Sequence, residues 1–433
     1  MNLKSFQETN NLRSIRECFQ LNRRHQRKAG HHLYMGTIIA PFVEPWGQPL
    51  ALRSCLIPDN RVRRRVIKKL YKQTHFASVK TPAVQMSSAV SNGSSALADI
   101  DWDNLGFTFL PTDYMYVMKC GHGENFAKGE LKRFGNIELS PCAGVLNYGQ
   151  GLVEGLKAYK TTDGNILLFR PEENGMRLRL GAERMCMLSP SVDQFVEAVK
   201  DTVLANERWV PPPGKGSLYI RPLLMGSGSV LSLAPAPEFT FLIYVSPVGN
   251  YFKDGLSPID LMVETETHRA TPGGTGCVKT IGNYAAVLKA QSSAKAKGYS
   301  DVLYLDSVHK KYLEEVTSCN LFIVKGNVIS TPATEGTILP GITRKSIIDV
   351  ARSLGFQVEE QRLTVDELLD ADEVFVTGTA VGLSPVGSIT YFGKRTSFRS
   401  SGVGVVTQQL YTALTRLQMG LAEDSMNWIV KLK

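Results

Sequence analysis

The chain has 433 residues, 43% of them apolar and 21% charged, enough to build two ordinary domains with real cores. No uninterrupted apolar run is long enough to span a bilayer. Seven scattered cysteines (Cys18, Cys55, Cys120, Cys142, Cys186, Cys277 and Cys319) form no C-x-x-C pair, which argues for a reducing compartment and against a disulfide framework or a zinc site.

The formal charge of +9 is unevenly placed. Residues 1–80 hold 16 Lys and Arg against 4 Asp and Glu, and the remainder holds 33 against 36. The run Arg61-Val62-Arg63-Arg64-Arg65 has no aromatic interleaving or zinc-finger pattern beside it, so nucleic acid is not the expected partner. A basic, acid-poor start that ends in Ser87-Ser88-Ala89-Val90-Ser91-Asn92-Gly93-Ser94-Ser95 reads as an organelle transit peptide over residues 1–95.

Beyond the leader, Tyr114–Met118 and Leu167–Phe169 predict strands, with Glu154–Tyr159 a short segment between them. Ser191 and Gln194 spell a capping box, opening a helix with Val192, Phe195, Val196, Val199 and Val203 on one face. Leu218–Ile220 and Phe241–Val245 predict further strands. The aperiodic run Pro247–Pro258 predicts a linker, with a boundary at 249–258 between a small domain (96–248) and a larger one (259–433). In the second part, Val302–Leu305 predicts a strand, and Leu321–Val324 with Val328–Thr331 a hairpin around Gly326-Asn327. A helix is predicted after Thr343, a strand over Glu373–Val376, and a last helix through Val406, Leu410, Leu414 and Leu417 that stops at Gly420. Strands and helices mix without a regular βαβ alternation, so the expected class is α+β or mixed α/β.

Lys279 lies in Gly273-Gly274-Thr275-Gly276-Cys277-Val278-Lys279-Thr280-Ile281-Gly282-Asn283-Tyr284. Glycines permit close backbone approach to a ligand, and a confined lysine can act as a nucleophile that forms Schiff bases, as in pyridoxal phosphate enzymes. Most lysines near glycines are solvated, so the run is a weak signal alone. Glu315, in Leu313-Glu314-Glu315-Val316, offers the carboxylate that a pyridoxal ring nitrogen needs, although such pairs usually face water. Leu339-Pro340-Gly341-Ile342-Thr343-Arg344 delivers a helix start suited to a phosphate. Thr377-Gly378-Thr379-Ala380, at the end of a buried strand, can offer a hydroxyl and bare N–H groups to an anion. Arg177 adds a fork that matches phosphate oxygens. Cys277 reads as a buried small residue rather than a redox group.

The order of these motifs, together with Tyr114-Met115-Tyr116-Val117, Leu146-Asn147-Tyr148-Gly149-Gln150-Gly151, Glu154–Tyr159, Phe169-Arg170-Pro171 and Tyr219-Ile220-Arg221-Pro222, closely resembles the branched-chain amino acid aminotransferases of the fold-type IV pyridoxal phosphate class, above all the plant members. The resemblance runs from about Ala98 to about Val430. It implies a two-domain fold, pyridoxal 5'-phosphate as cofactor, and transamination of leucine, isoleucine and valine with 2-oxoglutarate. On that basis Lys279 is the Schiff-base lysine and proton carrier, Glu315 holds the ring nitrogen, and Tyr284 reaches the ring's phenolic oxygen. Arg177, the N–H groups of Ile342 and Thr343, and Thr379 hold the phosphate. Tyr148, Tyr219, Thr379 and Ala380 shape the substrate site and receive its carboxylate, and Arg221 admits the acidic partner substrate.

The resemblance further implies a homodimer with residues of both subunits near the site, and a plastid location, with mitochondrion second. One position departs from the family, which commonly carries an aromatic residue where this chain has Val153. A valine there enlarges the side-chain pocket and keeps open a relative that acts on methionine-derived, chain-extended 2-oxo acids. D-amino acid aminotransferases and aminodeoxychorismate lyases would share Lys279 and Glu315 but not the Tyr219-x-Arg221 pair. A non-enzymatic regulator is disfavoured because every cofactor-contact position is filled.

Overall fold

The structure, a computed structural model, describes residues 97–249, 256–398 and 402–432. The expected leader and most of the expected linker lie outside these. The described residues belong to one compact unit, and it contains two sheets.

Aromatic and β-branched runs build the first sheet. Its strands are β1 (Tyr114–Gly121), β2 (Glu130–Arg133), β3 (Gly151–Val153), β4 (Leu156–Lys160), β5 (Ile166–Phe169), β6 (Ser217–Gly226) and β7 (Glu238–Val248). Neighbours run in the order β5-β4-β6-β7-β1-β2, with β3 also on β6, and every pair is antiparallel. Three helices accompany it: α1 (Gly144–Tyr148), α2 (Pro171–Arg184) and α3 (Val192–Ala205). Ser191 and Gln194 form the expected capping box at the start of α3. Phe195, Val199 and Val203 of α3 then join Ile220, Phe241 and Ile243 in a core with almost no exposed surface. The first strands fall where the apolar runs predict them. The segment 154–159 resolves into Glu154-Gly155 followed by β4. The linker begins later than Pro247, because Pro247 and Val248 pair with Leu218 and Ser217 in the ladder.

The second sheet starts with β8 (Ile259–Glu264). After α4 (Ile281–Ala296) come β9 (Asp301–Leu305), β10 (Leu313–Val316), β11 (Asn320–Lys325) and β12 (Val328–Pro332). Then follow α5 (Ile342–Ser353), β13 (Gln357–Gln361), α6 (Val365–Leu369), β14 (Glu373–Gly378), β15 (Gly382–Tyr391) and β16 (Lys394–Ser397). The order is β10-β9-β8-β15-β14-β11-β12-β13, with β16 against β15. Parallel pairs (β8–β9, β8–β15, β12–β13) mix with antiparallel ones, which places the fold in the expected mixed class. The β11–β12 hairpin turns at Gly326, whose φ of 57° is left-handed and suits glycine. α7 (Val405–Gln418) packs Leu410 and Leu414 with Ile347 of α5 over one face of the sheet. Gly420 follows it at φ 69°, as its terminating position requires. Finally β17 (Ile429–Lys431) adds to the first sheet beside β5.

Candidate active site

Lys279 stands where the two sheets' elements meet. Its backbone carbonyl accepts a hydrogen bond from the N–H of Val153 (3.1 Å), Leu152 bridges to Thr280, and the Thr280 hydroxyl donates to the Gly151 carbonyl (2.9 Å). The lysine therefore precedes α4 at a point fixed by β3. Its Nζ donates to the Tyr284 hydroxyl at 2.7 Å, because Tyr284 lies in the first turn of α4. The glycines before it serve a purpose other than ligand approach. A side chain at Gly276 would run into the Thr337 carbonyl and Ala270. That position is glycine so that the lysine loop can pack on its own protein.

A cavity of about 350 Å³ opens in front of Lys279. Val153, Tyr219, Arg221, Tyr284, Thr379 and Ala380 line it. Tyr219 and Arg221 are two apart on β6, so strand alternation points both to one face. An Nη2 of Arg221 donates to the Tyr219 hydroxyl (3.1 Å). Phe107 also lines the cavity, its ring edge-on to Tyr219 with centroids 5.8 Å apart. The sequence reading missed it, since a lone phenylalanine ahead of the first strand carries no pattern.

Glu315, on β10, is 2% exposed. It accepts the Leu339 N–H at 2.6 Å, and the guanidinium of Arg269 lies 2.9 Å away. Burial pushes its carboxyl up to about 7, against the opposing pull of Arg269. Asn320 ties the same loop by donating to the Leu339 carbonyl (2.9 Å). A side chain at Gly341 would overlap the Asn320 amide, which explains the glycine of Leu339-Pro340-Gly341.

Ile342 and Thr343 open α5, and Gly341 offers its first turn no capping side chain. These two, with Thr379, Lys157 and Asn174, line a small recess. Arg177 is turned mainly toward protein. Its Nε and Nη2 donate to the two oxygens of Glu154 (2.8 and 2.7 Å), and Nη1 donates to the Pro340 carbonyl (3.2 Å). Burial disfavours its charge, but the Glu154 carboxylate more than offsets this. Glu154 also accepts from Asn174 at 2.7 Å. Lys157 is a second residue that the sequence reading quoted without a role. Its ammonium donates to the Ala380 carbonyl (2.8 Å), and burial pulls its pKa down to about 8.

Tyr148 is not brought to this cavity. It ends α1, is 39% exposed, and its hydroxyl donates to the Leu231 carbonyl. Cys277 is half-buried at the edge of the first core rather than fully buried as expected. Cys319 does line the cavity, but burial pushes its thiol up to about 12, so it is no nucleophile at neutral pH.

An amine beside a tyrosine, a buried carboxylate with a cationic partner, and an uncapped helix start next to a threonine hydroxyl are together the donor set that fits pyridoxal 5'-phosphate. The amino-transferase class IV family matches residues 151–389, and the chain belongs to it. It is an aminotransferase. Over 336 residues it is 79% identical to branched-chain amino acid aminotransferase 2, chloroplastic, of Humulus lupulus, covering 78% of this chain and 82% of that one. Branched-chain-amino-acid aminotransferase 3, chloroplastic, of Arabidopsis thaliana is 73% identical over 372 residues, covering 84% and 90%. Among solved structures, the branched-chain amino acid aminotransferase from Escherichia coli superposes with a TM-score of 0.63 at 30% identity, over 74% of this chain and 99% of that one.

Proposed function

We propose that the enzyme transaminates branched-chain L-amino acids (leucine, isoleucine and valine) with 2-oxoglutarate, reversibly, giving the branched-chain 2-oxo acids and glutamate, with pyridoxal 5'-phosphate as cofactor. The observation that carries this reading is the pairing of Lys279 and Tyr284 in a cavity that Tyr219 and Arg221 also line.

When bound, the cofactor supplies an electron sink at its protonated ring. With the cofactor in place, Lys279 Nζ would carry the reaction's mobile proton to and from the substrate carbon. Tyr284, already 2.7 Å from that nitrogen, orients it and reaches the phenolic oxygen. Glu315 holds the ring nitrogen. Ile342 and Thr343 N–H groups, the Thr379 hydroxyl and the remaining N–H groups of Arg177 hold the phosphate. Tyr219 with the N–H groups of Thr379 and Ala380 receives the substrate carboxylate.

One cavity must accept an aliphatic side chain in one half-reaction and a second carboxylate in the other. Burying that carboxylate unpaired costs several kcal/mol. Arg221 meets the need at the cavity wall, while its stem and the Phe107 and Tyr219 rings stay compatible with leucine.

Tyr148 fits a role in the cavity of a second subunit, so we take the enzyme to be a homodimer with composite sites. Its exposed neighbours Leu146, Leu231 and Leu233 support that placement. Residues 96–248 and 259–433 are taken as the small and large domains. A plastid location, with mitochondrion as the alternative, is supported by the basic leader composition and by the chloroplastic names of the relatives. The second substrate reading, methionine-derived 2-oxo acids, rests on Val153 facing the cavity.

A panel of amino donors with 2-oxoglutarate, run on protein lacking residues 1–95, tests the proposal. Turnover of leucine, isoleucine and valine is expected, and turnover of methionine-type donors alone would overturn the branched-chain reading. Borohydride reduction and peptide mapping should place the cofactor on the peptide that contains Lys279.

A further inference from the structure

Arg269 lies beyond the end of β8, outside every motif the sequence analysis singled out, and its side chain is 3% exposed. A buried guanidinium needs a reason, because desolvating it costs several kcal/mol unless it is well paired. Here the pairing is incomplete in one respect. Nη1 lies 2.9 Å from Glu315 Oε1, yet among the described residues Nε and Nη1 have no aligned hydrogen-bond acceptor. The contact supplies charge more than directional hydrogen bonding, which makes it a poor structural rivet.

We propose that Arg269 is a positioning residue for the cofactor, its guanidinium holding the Glu315 carboxylate in place as the counter-charge of the protonated ring nitrogen. The inference rests on the reading of Glu315 given above. The groups that act on Glu315 define the need. Its neighbour Glu314 is also buried and repels its charge, whereas Lys279 acts in Arg269's sense but more weakly. The Leu339 N–H is a neutral donor. The Cys319 thiol and the Tyr304 hydroxyl are both held in their neutral forms by burial. Arg269 is thus the cation in contact with the carboxylate. Without it burial would favour the neutral acid, which keeps its proton and offers the ring nitrogen's lone pair only a hydrogen bond, leaving the ring uncharged.

The test uses full-length apoprotein reconstituted with pyridoxal 5'-phosphate, for the parent, Arg269→Met, Arg269→Lys, Glu315→Gln and both Arg269 changes combined with Glu315→Gln. Cofactor dissociation constants and the pH midpoint of the bound cofactor's visible band are measured, and thermal melts check folding. Arg269→Met should weaken cofactor binding at least tenfold and move the spectral midpoint by half a pH unit or more. Arg269→Lys should keep most of both, and either Arg269 change should have little added effect in the Glu315→Gln background. If Arg269→Met does not fold, the Lys variant completes the same cycle, and there a measurable loss that disappears beside Glu315→Gln is the expected result. Equal losses with and without Glu315, or unchanged affinity and midpoint, would overturn the inference. An unaltered Glu315→Gln protein would instead sink the reading of Glu315, and the inference with it.

Discussion

The hydroxyl of Tyr219 occupies the space that a side chain at Gly155 would fill. Gly155 directly follows Glu154, the partner of Arg177, so one dipeptide fixes the place of both Arg177 and Tyr219. Replacing Gly155 by alanine must displace the tyrosine ring at an overpacking cost of about 1–3 kcal/mol. We expect kcat/KM for every amino donor to fall about 10–100-fold. In a double-mutant cycle, Gly155→Ala combined with Tyr219→Phe should lose little more than the worse single variant. Additive losses would show that the two positions act independently.

Arg221→Ala should separate the two half-reactions. Use of glutamate and 2-oxoglutarate is expected to drop by roughly 10²-fold or more, as loss of a buried charge partner implies. Leucine use should fall less than tenfold. Half-reaction kinetics followed through the cofactor spectrum would measure both, and matching losses would remove Arg221 from the acidic-substrate role.

Val153 faces the cavity from the end of β3. Val153→Phe should narrow the side-chain pocket and lower the methionine-to-valine ratio of kcat/KM by about 10-fold, the scale for a few methylenes in an apolar site. A steady ratio would end the idea that this valine broadens preference.

Lys157 ties the Ala380 carbonyl from a half-buried position. Its pKa is lowered to about 8 by burial, so the ammonium weakens as a donor above that pH. Lys157→Met should loosen the turn that carries Thr379 and Ala380 and raise KM for leucine about tenfold or more, in keeping with a hydrogen bond to a charged group. Unchanged KM, with kcat alone reduced, would contradict a role in holding that turn.

Glu315 gives the apoprotein a pH signature. Its carboxyl rises from 4.5 to about 7 on folding. A raised folded pKa means that its contribution is fully present below pH 4.5 and is lost as pH climbs through 7, by up to about 3 kcal/mol. Urea unfolding of the apoprotein should show this decline. The Glu315→Gln apoprotein should lack it, and a decline that survives the substitution would assign it elsewhere.

Much of the site is legible in the sequence because its residues stand in short local motifs at the ends of elements. Lys279 with Tyr284, Tyr219 with Arg221, and Thr379 with Ala380 are near neighbours in the chain, so spacing alone carries their relation. Contacts across long sequence separations are not legible in this way. Arg269 reaches Glu315 only through the second sheet's strand order, and Glu154 reaches Arg177 only through the packing of α2 beside the first sheet. The same division holds for the elements. Amphipathic α3 and α7 declare themselves by spacing, but α2 places Gly175 and Gly181 against Phe195 and Leu152, where no apolar stripe can mark it. β15 was hidden because buried serines, Ser384 and Ser388, interrupt its apolar pattern.

The backbone of Lys279 is anchored by Val153 and Thr280 to a strand of the other sheet. A fragment starting at β8 would keep the amine, the carboxylate and the helix start, yet lose what decides where the amine stands. Halves of this polypeptide expressed separately are therefore not two partial catalysts, and recombining segments from relatives should succeed only when β3 and the lysine loop travel together.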